Sequence, residues 1–333
     1  MITKILTIAV PTYNMQEYLC RCLDSLVVEK DLMQQLEVLV VNDGSNDNSS
    51  AIAHKYHDKY PDTFFVIDKD NGHYGSCVNA ALKIATGKYF RLLDADDWVN
   101  TEGLKDFIKA LKNHDEDVIF TKFTHQYLYD KRSEICIVDG IAWEKIYDLN
   151  SEQIPMACLA MHGITFRLDF LHNINYTQTE GIAYTDTEFV YIPLCQAKTM
   201  NCVDIDLYQY FIGRTDQTVS KESIVNNYSH FKKIYNRIFA YVPSNPNSNF
   251  ENLRDVYLTR ILRYLLNIQL LYSRGTKEHD IQLRNDLNQL KCSSLRAFEQ
   301  VMNFKVYGIM YVKNWYHRNA ISKLMNLLLR VYL

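Results

Sequence analysis

Three aspartates in four positions, Asp94, Asp96 and Asp97, follow directly on the apolar run that ends at Leu93. Alternation along an extended segment puts Asp94 and Asp96 on one face. Two adjacent carboxylates repel unless positive charge lies between them. A hard divalent cation, Mn²⁺ or Mg²⁺, meets that need and keeps positions open for phosphate oxygens. Asp97 reads equally well as the cap of a helix starting near Thr101.

Three other apolar runs also end on polar loops: Pro11-Thr12-Tyr13-Asn14, Asn42-Asp43-Gly44-Ser45, and the loop holding Asn71, Gly72 and Gly75. Turn chemistry alone accounts for Asn42 to Gly44, yet Asp43 at the end of its run can also accept from a base or a ribose hydroxyl. Gly72 and Gly75 stand just ahead of a helical pattern, where backbone and helix N-terminus can approach an anion. The first loop carries neither GxGxxG nor GxxxxGK[ST], which sets aside a dinucleotide redox site and P-loop phosphoryl transfer.

These loops need a frame. Segments 5–10, 36–43, 63–68, 88–96 and 117–123 have strand character, and 17–27, 48–60, 76–86 and 101–114 have helical spacing. Such alternation predicts an α/β fold, a mostly parallel sheet with right-handed crossovers and helices on both faces. Ligands of such sheets bind beyond the carboxyl ends of the strands, where the four loops fall. Residues 124 to 215 are mixed and aromatic-rich, with strands at 134–139 and 200–211 and a helix at 186–198. From about 222 the chain turns helical, with a long amphipathic run at 256–274, and "VPSNPNSN" (242–249) has the composition of a linker. The expected division is a catalytic domain over 1–220 and a helical C-terminal region over 221–333.

Taken in order and spacing, "VPTYN", "VVNDGSNDNS", "DNGHYGSCVNAALKIATGKY" and "FRLLDADDW" resemble the family 2 glycosyltransferases of the GT-A fold, bacterial polysaccharide and glycoconjugate type, over roughly residues 5 to 220. The resemblance implies a donor half over about 1–100 and an acceptor half over about 101–220. It implies inverting transfer of a sugar from a nucleotide-diphospho sugar, by default a UDP-sugar, to a hydroxyl of a glycan, lipid-linked or protein-linked acceptor. By the same resemblance Pro11, Thr12, Tyr13, Asn14 and Asp43 line the nucleotide, and Asn71, Gly72, Gly75 and Asn79 border the donor. Asp94 and Ala95 contact it, and Asp94 and Asp96 form the DxD motif that holds Mn²⁺ or Mg²⁺. One departure is visible: the family often has Ala-Arg-Asn where this chain has Cys77-Val78-Asn79. A basic donor contact is then either missing or supplied elsewhere, by Lys69, His73 or Arg91.

Asp186, in "GIAYTDTEFVYIPL", matches the family's general base, with Thr185 where a Glu is usual; its plain structural reading is a first-turn helix acid. Glu188, the nearest rival, points away from Asp186 on a helix. Arg214, in "YQYFIGRTDQTVS", matches an arginine loop near the diphosphate. Two other readings are a sugar nucleotidyltransferase, whose glycine- and basic-rich first loop "PTYN" lacks, and an inactive carbohydrate-binding or scaffold protein of the same fold.

The 333 residues are 47% hydrophobic and 23% charged, as in folded globular proteins. A net charge of −3 excludes the basic footprint of a nucleic-acid binder. Eight irregularly spaced cysteines without a CxxC pair suit a reducing, cytoplasmic setting. Charge is uneven: Lys291, Arg296, Lys305, Lys313, Arg318, Lys323 and Arg330 against Glu299 make residues 291–333 about +6, which leaves about −9 on the rest. That basic, aromatic end reads either as a helix packing on the catalytic domain or, in self-association, on another subunit, or as a peripheral contact with the inner face of an anionic membrane.

Overall fold

The computed structural model describes residues 4–156, 159–213, 226–272, 276–306 and 310–317. They fall into two compact units, one within 1–214 joined by 243–250, the other within 215–242 and 251–333.

The first unit is built on one sheet. Its strands are β1 (Leu6–Thr12), β2 (Leu36–Asp43), β3 (Phe64–Lys69), β4 (Tyr89–Leu92), β5 (Trp98–Val99), β6 (Val118–Tyr127), β7 (Ser133–Cys136), β8 (Lys145–Asp148), β9 (Ile164–Arg167) and β10 (Thr199–Ile212). The spatial order is β3-β2-β1-β4-β9-β6-β10-β5, with β7 on β6 and β8 on β10. The β1/β2, β2/β3, β1/β4 and β6/β10 pairs are parallel. Every residue of β1 and β2 is buried, as runs covered on both faces must be.

Helices α1 (Leu19–Ser25), α2 (Lys30–Met33), α3 (Ser49–Lys59), α4 (His73–Ile84), α5 (Thr101–Leu111), α6 (Leu168–Asn173) and α7 (Asp186–Leu194) complete the unit. α5 shows the logic. Leu104, Phe107, Ile108 and Leu111 form its buried stripe, and Asn100 caps it by accepting from the Gly103 N–H at 3.3 Å. The cap is therefore Asn100, which leaves Asp97 for other work.

Two features depart from the sequence reading. β9 inserts antiparallel between β4 and β6, so the fourth and fifth predicted strands are parallel but not neighbours. Its Ile164, Thr165 and Phe166 are fully buried. The polar segment 242–249 is no free tether over its second half. Asn247 donates to the Leu194 and Ala197 carbonyls at 2.7 and 2.8 Å, and Asn249 is 1% exposed and donates to the Glu152 carbonyl at 2.9 Å.

The second unit contains helices Tyr228–Ala240, Lys277–Ser293 and Leu295–Met302 and most of Phe250–Asn267. Lys277–Ser293 is capped by Thr276 and Leu295–Met302 by Ser294. No described helix is long and apolar enough to cross a membrane. Residues 318–333, which carry the end of the basic tail, lie outside the described residues.

Candidate active site

The first two strand ends share one ledge. Pro11 and Thr12 are buried, Tyr13 is 46% exposed, and Asn14 turns the chain at φ 53°. The Asn14 N–H donates to Ser45 Oγ at 3.0 Å, and Asn14 Oδ1 accepts from the Asn46 N–H at 2.9 Å. The Met15 N–H donates to Ser49 Oγ at 2.8 Å. The "PTYN" and "NDGSN" loops thus hold each other rigidly.

Asp43 closes β2 and is 2% exposed. Its Oδ1 accepts from Lys69 Nζ at 2.6 Å and from the Gly72 N–H at 2.9 Å, and its carbonyl accepts from Asn71 Nδ2 at 3.0 Å. Lys69, one of three candidates for the missing basic contact, is therefore bound to Asp43. Arg91 is the second candidate, and burial takes it out of reach. It is 0% exposed, donates to Thr165 Oγ1 at 2.9 Å, to Thr121 Oγ1 and to the His162 carbonyl, and burial pulls its guanidinium down to about 10. His73, the third candidate, is exposed at φ 64°.

The third loop divides its labour. Asn71 and Gly72 serve Asp43, whereas Gly75 and Asn79 serve a segment a hundred residues on. A Cβ at Gly75 would overlap the Thr179 carbonyl. Asn79 Nδ2 donates to the Gln178 carbonyl at 2.9 Å and to Glu180 Oε1 at 2.8 Å, and Asn79 Oδ1 accepts from the Gln178 N–H at 2.9 Å.

The aspartates stand where the chain leaves β4. Asp94 Oδ1 accepts from the Tyr74 hydroxyl at 2.8 Å, and the Asp94 N–H donates to the Tyr208 hydroxyl oxygen at 3.2 Å. Tyr208 in turn donates to Asp97 Oδ2 at 2.6 Å, and the Phe211 N–H donates to Asp97 Oδ1 at 2.8 Å. Asp97 is fully buried; that burial, with Asp96 and Asp94 beside it, pushes its carboxyl well above the usual range. Ala95 is buried, and the Asp96 carbonyl accepts from Arg21 at 2.7 Å. Arg21 itself lies over the rings of Trp98 and Phe211, at 4.0 and 4.4 Å.

Asp94 and Asp97 are joined by a residue the sequence did not single out. One ligand atom each of Asp94, Asp97 and His162 lies within 4.8 Å of the others; Asp96 is not in the group. His162 sits in a single turn (Met161–Gly163) before β9, its ring stacked on Tyr210 at 4.3 Å and edge-on to Tyr208 at 4.9 Å. Burial, then His125 and Arg91, lower the imidazole to about 3 and keep it neutral. No local pattern marks His162; it arrives with β9.

Asp186 is exposed in the first turn of α7. Thr185, in the place of the family's Glu, is fully buried and accepts from Gln178 Nε2 at 2.8 Å. Glu188 is also fully buried and accepts from the Thr179 N–H at 2.9 Å. Two tyrosines feel both centres of charge. The Tyr74 hydroxyl is raised by burial, by Asp94 and by Asp186. Tyr210 is pushed up to about 12 by burial, by Asp97, Asp94 and Asp96, and by Asp186. The aspartate loop and Asp186 thus both lie within electrostatic range of the Tyr74 and Tyr210 hydroxyls. Arg214 lies outside the described residues.

Comparison with known proteins agrees with this architecture. Residues 7–168 match the model of glycosyl transferase family 2. The chain is 25% identical over 316 residues to the minor teichoic acid biosynthesis protein GgaB of Bacillus subtilis, covering 92% of this chain and 35% of that one. It is 34% identical over 116 residues to the poly(ribitol-phosphate) β-N-acetylglucosaminyltransferase TarS of Staphylococcus aureus, covering 35% of this chain and 20% of that one. The chain therefore spans only about a third of GgaB and a fifth of TarS. Its fold is like that of the crystal structure of S. aureus TarS 1-349 in complex with UDP-GlcNAc, with a TM-score of 0.63 and 22% identity over 90% of this chain and 84% of that one. The likeness to glycosyl transferase family 2 thus rests on residues 7–168, just under half of the chain.

Proposed function

We propose that the protein transfers a sugar, with inversion, from a nucleotide-diphospho sugar to a hydroxyl of a cell-envelope polymer. The observation that carries this reading is that Asp186 and the Asp94–Asp97 loop act on the same tyrosines. A carboxylate-rich loop suited to a donor diphosphate and a separate exposed carboxylate suited to an acceptor thus act on the same two hydroxyls.

The ledge of Pro11 to Asn14, Asp43 with Lys69, and the Asn71–Gly72 turn receive the nucleotide. Asp94 and Asp96 face the diphosphate, where a bound Mn²⁺ or Mg²⁺ supplies Lewis-acid neutralisation of the departing charge. The donor set fits such an ion, since carboxylates with one imidazole suit a hard to borderline divalent cation. Asp186 takes the proton of the acceptor hydroxyl as it attacks the donor carbon. Attack from the face opposite the leaving diphosphate inverts that carbon, and no enzyme-bound sugar intermediate is needed. Among similar proteins, TarS has been solved with UDP-GlcNAc and a mannosyltransferase of Pyrobaculum calidifontis with GDP-Man and Mn²⁺. The first supports UDP as the default donor. GgaB and TarS support a teichoic-acid-like polyol phosphate acceptor.

The test is turnover of a panel of nucleotide sugars, with and without Mn²⁺, scored by release of nucleoside diphosphate. Metal-dependent release that rises when a polyol phosphate polymer is added is expected. No turnover of any nucleotide sugar, together with no metal-dependent nucleotide binding, overturns the proposal.

A further inference from the structure

Among the described residues β7 pairs with β6 alone, so its outer edge is bare. The hairpin that carries it is apolar where it meets solvent: Tyr129 is 79% exposed, Ile135 51% and Ile137 73%. A bare, apolar edge is a template for another strand. The register with β6 decides which groups this edge offers. The Tyr127 N–H donates to the Arg132 carbonyl at 2.9 Å, and His125 and Phe123 continue the ladder opposite Glu134 and Cys136. Hydrogen-bonded positions alternate along an antiparallel pair. Arg132, Glu134 and Cys136 therefore turn their backbones to β6, and Ser133, Ile135 and Ile137 turn theirs outward.

The segment Lys131-Arg132-Ser133-Glu134-Ile135-Cys136-Ile137-Val138-Asp139 complements itself when reversed about Ile135. Ile135 then faces Ile135 of a second copy, and Ser133 faces Ile137, so the outward backbone groups meet as hydrogen-bonded pairs. On one face the isoleucines of both copies gather into an apolar cluster; on the other, Glu134 faces Cys136 and meets no like charge. Beyond the ladder, Lys131 and Asp139 stand at opposite ends, both exposed and neither ion-paired among the described residues. Antiparallel reversal brings each Lys131 to the other copy's Asp139. A register centred on Ser133 would instead draw the turn at Lys131, φ 52°, into the ladder. We propose that β7 is a self-association edge, through which two copies of this chain join antiparallel over residues 133–137 about a two-fold axis at Ile135. The contact is isologous, so every pair but the central one occurs twice. So short an edge falls in the small, transient class of interface, and a dissociation constant on the order of 10–100 µM is expected.

The experiment is sedimentation of the full chain, under reductant, at concentrations on either side of that constant. A reversible monomer–dimer equilibrium is expected. Ile135→Lys sets two ammonium groups face to face at an exposed position and should leave a monomer at every concentration. Ile137→Lys should weaken the dimer about tenfold, and it serves as the second variant should the first not fold. Lys131→Asp and Asp139→Lys should each weaken it about threefold, and the two together should restore it. Register is read by oxidising Ile135→Cys and mapping the link by peptide mass spectrometry. Directly opposed positions lie about 5.5 Å apart, within disulfide reach, so position 135 should link to its own copy. The proposal is overturned by a monomer throughout, which leaves the edge to a different chain, or by a dimer that survives Ile135→Lys. It is also overturned by a charge exchange that restores nothing, or by links from position 135 that run only to Cys20, Cys136 or Cys292.

Discussion

The side-chain amide of Asn79 pairs with the backbone of Gln178 in both directions, donating to its carbonyl and accepting from its N–H, each at 2.9 Å. Gln178 is 2% exposed, so neither backbone group has ready access to water. A helix beyond the donor loop thereby holds the segment that leads to Asp186. Asn79→Ala leaves two buried backbone groups without this partner, and a loss of about 2 kcal/mol is expected, read by urea titration. In steady-state kinetics kcat should fall more than the donor KM rises, because the base side shifts while the nucleotide ledge is intact. A raised donor KM with unchanged stability would make Asn79 a donor contact after all.

Asp186 opens α7 as an exposed carboxylate, while Thr185 and Glu188 on either side are fully buried. Among these three, only Asp186 is exposed. Asp186→Asn should cut transfer by about 10²-fold or more, the scale of general base catalysis. Donor binding, read by calorimetry with UDP and Mn²⁺, should change less than threefold. Full transfer activity in the asparagine protein would end the base assignment.

Arg91 occupies the middle of the sheet, fully buried, with its guanidinium shared among Thr121, Thr165 and the His162 carbonyl. A lysine there keeps the charge but loses the planar fork that serves several acceptors at once. Arg91→Lys should therefore cost about 2–3 kcal/mol, seen as a lower midpoint in urea at pH 7. Unchanged stability with a higher donor KM would restore Arg91 as the basic donor contact.

The sequence made the first half of the fold and its four strand-end loops legible because each strand there is a run of buried aliphatic residues punctuated by turn residues. Asp94, Asp43 and the ledge at Tyr13 are local features of those runs. What it could not convey was partnership at a distance. Asp97 looked like the cap of α5, but Asn100 has that task, and Asp97 is held by Tyr208 and Phe211, over a hundred residues later. β9 is four residues long inside an aromatic-rich stretch, too short for periodicity to show. With it went His162 and the true neighbours of β4 and β6. Gly75 and Asn79 were assigned by motif to a donor, and only the path of residues 178–180 reveals what they touch.

In the second unit, Lys232 Nζ bonds both oxygens of Asp286, at 2.5 and 2.6 Å, with the two side chains only 18% and 8% exposed. Burial nevertheless raises the Asp286 carboxyl above its ordinary 3.8, outweighing the opposite pull of Lys232. A raised native value means that the stabilisation is complete below the unfolded value and is lost as pH rises through the folded one. At neutral pH folding thus carries the cost of keeping Asp286 ionised in a buried setting. Replacing both members, Lys232→Met with Asp286→Leu, should leave stability equal or up to about 4 kcal/mol higher, whereas Lys232→Met alone should lose about 3–5 kcal/mol by stranding a buried carboxylate. The advantage of the double variant should be largest near pH 7 and shrink toward pH 4. Urea titrations at the two pH values check both statements. A double variant as unstable as the single one would show that the ion pair stabilises this unit outright.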